Sequence, residues 1–231
     1  PERCGFGLFL DAEGRAVFSI GLGGVYDRDS LVTGPKLNHR QWHHIVGVWE
    51  GAAKVAAIWV DGKRAAEWQA PDSLSPRKAG PAGLRIEAYS ERGVTGGGDG
   101  DIAMPAIYTR ALAADEIAAR LAKRGLEAPD LGDPALASFW PLDEERGSSV
   151  ADASGNRRDG QIVNLGTWMI GGPSFDGGSV GRYATGYDPR TDPNREHGLR
   201  LASDDLYDCG WEATEVFRVP KNAKSGIYAA W

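Results

Sequence analysis

Large apolar residues crowd into two neighbouring stretches, Trp42-His43-His44-Ile45-Val46-Gly47-Val48-Trp49 and Val55-Ala56-Ala57-Ile58-Trp59-Val60-Asp61-Gly62-Lys63. They read as adjacent β-strands closed by a hairpin turn at Asp61-Gly62, because both central positions of a type I′ turn need positive φ. Successive side chains of a strand point to opposite faces. Trp42, Val46 and Val48 therefore share one face and Ile45 and Trp49 the other, while Val55, Ala57 and Trp59 oppose Ala56, Ile58 and Val60. Strands that are apolar on both sides are covered on both sides. Two covers are open at this point: a loop over an ordinary central strand, or another domain docked on the outer face.

Residues 7–10 and 15–20 predict two short strands joined by the turn-rich Asp11-Ala12-Glu13-Gly14. In the second of them Phe18 and Ile20 share a face, against Val17, Ser19 and Gly21. Gly21-Leu22-Gly23-Gly24 predicts a loop. It is no phosphate cradle, since no helix follows and no Lys-Ser/Thr pair closes it. Leu84-Arg85-Ile86-Glu87-Ala88-Tyr89 alternates with period two, as a half-buried strand does. Gly96 to Gly100 predicts a flexible loop, and residues 101–108 a strand in which Pro105 marks an edge or a bulge.

The helical period appears once, over residues 113–123. Leu112, Ile117 and Leu121 are spaced to lie along one side, Asp115 and Glu116 favour the dipole in the first turn, and Lys123 and Arg124 precede Gly125 as the stop. Ala113 stands at the cap, where it offers no side-chain oxygen and costs about 1 kcal/mol relative to Ser.

The strand pair at 42–63 together with Ala111-Leu112-Ala113-Ala114-Asp115-Glu116-Ile117 resembles the jelly-roll domain shared by laminin-G-like modules and concanavalin A-like lectins. The implied fold is all-β: an antiparallel jelly-roll sandwich with one short packed helix. Residues 126–135, rich in acids and Pro, read as a linker. Phe139-Trp140-Pro141-Leu142-Asp143-Glu144, Val150 to Asn156, Gly160 to Val163 and Phe175-Asp176-Gly177 then resemble the part that usually begins such a jelly roll. Here they follow the part that usually ends one. The expected organisation is therefore permuted: residues 1–125 form the first part of the sandwich, 136–180 return to complete it, and 181–231 begin a following immunoglobulin-like β-domain.

The 32 Gly and 13 Pro suit a turn-rich β chain, and 231 residues bury ample core. A net charge of −6 without a basic run argues against nucleic acid as a partner, and no apolar run approaches the ~20 residues of a membrane span. Cys4 and Cys209, far apart, read as free thiols, which favours a cytoplasmic setting. The chain opens Pro1-Glu2-Arg3 and ends in a strand-like Ile227 to Trp231, so it reads as a segment of a longer polypeptide.

Candidate chemistry is sparse. Asp152, Asn156 and Asp159 share a loop with Gly155 and Gly160, and such oxygen-rich loops either hold Ca²⁺ or are shaped by Asx-turns. His43-His44 does not predict zinc, because adjacent strand residues diverge; one of them is expected as a satisfied core or interface side chain. Trp49, Trp59 and Trp68 form either a sugar-stacking platform or part of the core. No Ser/His/Asp spacing stands out, nor the closely spaced Glu and Asp of a glucanase strand, so no catalytic residue is assigned.

The C-terminal region carries a further resemblance. His197-Gly198-Leu199-Arg200-Leu201-Ala202-Ser203-Asp204-Asp205-Leu206-Tyr207-Asp208 and Ser225-Gly226-Ile227-Tyr228-Ala229-Ala230 are similar to the large (β) subunit of N,N-dimethylformamidase and its relatives. Between them, two strands are expected around a Pro220/Asn222/Gly226 turn. The resemblance implies a parent enzyme that hydrolyses small formamides, with a mononuclear iron held by Tyr and Glu. No residue here matches those ligands. The implied role is a non-catalytic accessory sandwich that packs against the rest of the large subunit, a small subunit or further copies. Rival readings are a carbohydrate-binding lectin-like module and a glycoside hydrolase of the concanavalin A-like class.

Overall fold

The computed structural model describes residues 4–22, 31–73, 83–86, 89–90, 94–95, 99–124, 127–163, 166–173, 175, 197–202, 212, 214, 216 and 218–224. These form short antiparallel strands and a single helix. The first sheet runs β1 (Cys4–Leu10), β2 (Arg15–Leu22) and β3 (Leu31–Lys36), in that order. The second runs β4 (Ile45–Glu50), β5 (Val55–Val60) and β6 (Lys63–Gln69). Both are simple meanders, and the described β1–β2 and β5–β6 turns have local chemistry. At the β1–β2 turn the Asp11 carboxylate accepts the Glu13 and Arg15 N–H groups at 3.1 and 2.9 Å and pairs with the Arg15 guanidinium at 2.7 Å. The β5–β6 turn is Asp61-Gly62, with φ of 49° and 74°, as a type I′ turn requires.

The two sheets stack through the faces that alternation selects. Ala16, Phe18, Ile20 and Val32 of one meet Ala56, Ile58 and Val60 of the other, with Ile45, Trp49, Ala66 and Trp68 packed around them. Gly47 belongs to this face, and a Cβ there would lie 2.3 Å from the Phe18 ring, so the ring occupies the space a larger residue would need. The outer face of β5 is covered as well: Ala57 is buried, and residues 111–114 line the groove above it. The cover is a loop leading into a helix.

That helix, α1 (Ala114–Lys123), buries Ile117 completely. Ala113 is its N-cap and supplies no side-chain bond, but Glu116 reaches back to accept the Ala113 N–H at 2.7 Å. Arg124, at φ 45°, closes the helix in the left-handed conformation that Gly125 was expected to provide. Leu121 packs over Gly62, where a Cβ would sit 2.8 Å from its methyl group.

Several sequence expectations shift. The strand expected from Trp42 begins only at Ile45, because the backbone of His44 is engaged with Asp61 on both sides: its N–H donates to Asp61 Oδ1 at 3.0 Å and its carbonyl accepts the Asp61 N–H at 2.9 Å. β6 was not anticipated, although Ala66 and Trp68 alternate inward. Gly21 and Leu22 extend β2 instead of opening a loop. Leu84 to Ile86 form no strand, and Leu84 and Ile86 are exposed. Among the described residues of this stretch, Tyr89–Ser90 (β7) pairs with Val94–Thr95 (β8). Residues 101–108 split into β9 (Gly100–Ile102) and β10 (Ala106–Tyr108), interrupted at Met104 with φ 49° and at Pro105.

The second half returns to the first. β11 (Leu136–Phe139) pairs with β10, and the Trp140 N–H donates to the Pro105 carbonyl at 3.1 Å. β12 (Ser149–Val150) pairs with β13 (Gly160–Gln161). β14 (Thr167–Ile170) and β15 (His197–Leu201) complete a third sheet in the order β14-β15-β9. Residues 197–201, expected in a following domain, are thus the middle strand of a sheet whose outer members lie at 167–170 and 100–102. The physical reason is burial: Leu199 is enclosed with Trp140, Leu142 and Val150. The expected turn near Pro220 is present, with the Ala223 N–H donating to the Pro220 carbonyl at 3.0 Å, but described residues 218–224 form no strand. Cys209 and Tyr228 lie outside the described residues.

Candidate functional site

Asp152 is a buried acid at the mouth of β11. Its Oδ1 accepts the N–H groups of Phe139 and Ser154, both at 3.0 Å, and its Oδ2 accepts the Arg158 N–H at 3.0 Å. Burial pushes its pKa up, but the hydrogen bonds from Phe139, Ser154 and Arg158 outweigh it and hold the carboxyl at about 2. Asp159 accepts the Asp152 N–H at 2.9 Å. Asn156 donates through Nδ2 to the carbonyls of Leu136 and Ala137, each at 3.0 Å, and Arg158 reaches the same Ala137 carbonyl. The loop thus uses Asp152 and Asn156 as clasps on β11, while Asp159 braces the loop itself by accepting the Asp152 N–H. The Trp140 indole adds a bond to the Arg158 carbonyl at 2.9 Å. Among the described residues no three His, Cys, Asp or Glu side chains converge in the manner of a metal centre.

Trp49, Trp59 and Trp68 do not form one platform. Trp49 and Trp68 both pair with Ala56 across β5, so they face the core. Trp59 faces outward beside Arg64. It lines a groove of about 300 Å³ with Val48, Glu50, Val55 and Ala57, roofed by residues 111–114. This groove joins an aromatic wall, an acid and a base on the outer sheet face.

A second cavity of about 190 Å³ lies beneath α1, lined by Tyr108, Arg110, Arg120 and Pro129 among others. Arg110 closes one side, donating to both Glu116 oxygens at 2.8 and 2.6 Å and to Asp133 at 2.8 Å. The Arg110 guanidinium and the Ala113 N–H hold Glu116 down at about 2. Sequence reading did not single out Arg110 or Asp133. The Ala113-x-x-Glu116 spacing of a capping box was the available signal, and Arg110 is what a restrained Glu116 pairs with. Arg120 lies 6.0 Å from the centre of the Phe139 ring, within cation–π range, and burial lowers its pKa.

The two histidines differ in their partners, although neither lies on the strand that was expected to set them apart. His43 Nδ1 lies 2.8 Å from Asp61 Oδ2 and its Nε2 3.3 Å from the Asn38 carbonyl, so His43 is the satisfied one. His44 is held below its ordinary pKa by burial and by the nearby Arg120 charge, and its Nδ1 is buried without a partner.

An antiparallel sandwich with one short helix coincides with a family assignment. A laminin G model of the concanavalin A-like lectin/glucanases superfamily matches residues 2–118 of the 231. The chain belongs to that superfamily. No curated protein matches it. The superfamily match covers β1 to β10 and the first turn of α1, including the Trp59 groove, whereas the Asp152 loop lies beyond it. No described helix is long and apolar enough to cross a membrane.

Proposed function

We propose that this superfamily member is a non-catalytic accessory sandwich of an amide hydrolase similar to the large subunit of N,N-dimethylformamidase. The observation that carries the reading is β15. The segment bearing the more specific part of that likeness, from His197, is the middle strand between β14 and β9. That pairing links the C-terminal segment to β9, which lies within the superfamily match. The work of the sandwich is packing: it presents surfaces to the remainder of a large subunit and to a small subunit. No Tyr or Glu of this chain matches the ligands that the likeness implies for the iron, so none is assigned here and no catalytic step is derived from it. The isolated chain is expected to release no dimethylamine from N,N-dimethylformamide, with or without added iron. Release above the buffer blank overturns the non-catalytic reading. Reading the gene on both sides of the segment tests the parent: a neighbouring region without Tyr and Glu candidates for an iron site overturns the amidohydrolase assignment.

The Trp59 groove favours a second reading, a carbohydrate-binding module. Aromatic faces stack on sugar rings, and Glu50 and Arg64 flank the wall. A glycan array with Trp59→Ala as the control decides it: binding lost in the variant supports the module, and an empty array removes it. Trp49→Ala is unsuited as a control, since Trp49 supports the core.

A further inference from the structure

The cavity beneath α1 holds a guanidinium that no described carboxylate answers. Glu116 stands four residues before Arg120 on the same helix, the spacing at which an acid normally pairs with a base. Both Glu116 oxygens are instead taken by Arg110, at 2.8 and 2.6 Å, and one also by the Ala113 N–H. The other acids of the cavity are engaged too. Asp133 accepts from Arg110 and from the Ala135 N–H, each at 2.8 Å, and Asp130 accepts the Gly132 N–H at 2.9 Å. Lys123 pairs with Glu127. Among the described residues no carboxylate pairs with Arg120, whose guanidinium lies over the Phe139 ring, 6.0 Å from its centre. Burial strips this charge of hydration, and a desolvated charge without a counter-charge is costly. Its nitrogens are nevertheless not sealed off: the described buried polar atoms without a partner are His44 Nδ1 and Glu144 Oε2.

The cavity selects what could answer it. Its volume of about 190 Å³ admits only a small molecule, and Leu112, Ala119, Ala128 and Pro129 give it an apolar lining. Its charges cancel, with Arg110, Arg120 and Lys123 against Glu116, Asp130 and Asp133. Tyr108 adds none, because burial raises its hydroxyl pKa. A monoanion on Arg120 therefore gains one close attraction, whereas a dianion such as phosphate also meets three carboxylates at double strength. The planar guanidinium fork matches a carboxylate with two parallel hydrogen bonds. We propose that Arg120 anchors a binding site for a short aliphatic monocarboxylate, its carboxylate on the guanidinium and its chain against the apolar lining.

Nuclear magnetic resonance titration of the 231-residue chain with butyrate tests it. Saturable shifts at Ala119 and Tyr108 are expected, with a Kd on the order of 1 mM. Arg120→Met keeps an unbranched stem over Phe139 and removes the charge. It is expected to weaken butyrate at least tenfold while the melting temperature holds or rises, since an unpaired buried charge is gone. Lys123→Met removes a base that Glu127 already holds and is expected to change affinity by no more than about twofold. His44 reports the position of the anion. Burial and the Arg120 charge lower its pKa, while Asp61 acts the other way. A carboxylate on Arg120 offsets that charge, so the His44 ring is expected to titrate higher in saturating butyrate, and Arg120→Met to abolish the rise. Absence of saturable binding, binding that Arg120→Met leaves intact, an unmoved His44, or phosphate bound more tightly than butyrate overturns the proposal.

Discussion

Every buried residue of the core around Phe18 lies between residues 16 and 70, whereas the core around Trp140 collects Ile102, Leu142, Val150, Trp168 and Leu199. The first core joins strands that are close in sequence, so closing its loops costs little. The second joins strands separated by up to about a hundred residues, at a greater loop-closure cost. It is correspondingly dense in side chain-to-backbone bonds, with Asp152, Asn156, Asp159 and Trp140 all clasping chain segments. Helix α1 is the seam between them: Leu121 sits on the β5–β6 turn and Arg120 over Phe139 of β11.

The sharpest way to break this contrast is to disturb packing alone. Gly47→Val drives a side chain into the Phe18 ring, whose atoms lie 2.3 Å from the built Cβ, and is expected to cost about 3 kcal/mol or more. Urea unfolding measures it, and partial recovery with Phe18→Leu would confirm that the clash is the cause. A Gly47→Val protein as stable as its parent would mean that the first core is loosely packed.

The second core is tested through its clasp. Asp152→Ala strands the N–H groups of Phe139, Ser154 and Arg158 and is expected to cost roughly 2 to 3 kcal/mol. Hydrogen exchange at Phe139 is expected to accelerate while exchange at Ile58 changes little. Equal acceleration at both sites would show that the two cores unfold as one.

Acid probes the same clasp reversibly. Asp152 titrates at about 2 in the folded protein, below its ordinary 3.8, so its contribution is present above pH 4 and is lost as pH falls towards 2. The loss is on the order of 2 kcal/mol. Glu116, held at about 2 beside Arg110, adds to the same window. Melting curves from pH 5 to pH 2 should steepen below pH 4, and Asp152→Asn should flatten part of that slope.

The seam gives a smaller, stabilising effect. Ala113 has cap geometry without a cap side chain, and Ala113→Ser is expected to raise stability by about 1 kcal/mol. The smallest effect expected is none: millimolar Ca²⁺ against EGTA should leave the melting temperature unchanged, because Asp152 and Asp159 already accept backbone N–H groups and Asn156 points its amide donors at carbonyls. A rise of several degrees would establish a calcium site and recast the clasp as a metal loop.

Local chemistry made much of this molecule readable from its residues. The Asp61-Gly62 turn, the alternation of Ala56, Ile58 and Val60, and the helix with Glu116 in its first turn all follow from short-range sterics and periodicity. These depend on a handful of neighbours along the chain. What tertiary structure alone decided is where distant segments meet. Sequence could not say that Trp59 faces a groove while Trp49 and Trp68 face the core, because β6 and its bulge supply the register. It could not place His197–Leu201 between β14 and β9, because a five-residue strand with Leu at 199 and 201 fits any sheet that buries Leu199. Nor could it tell a calcium loop from a clasp, since the same Asp and Asn oxygens serve both, and only the backbone of β11 lying within hydrogen-bond reach selects the second geometry.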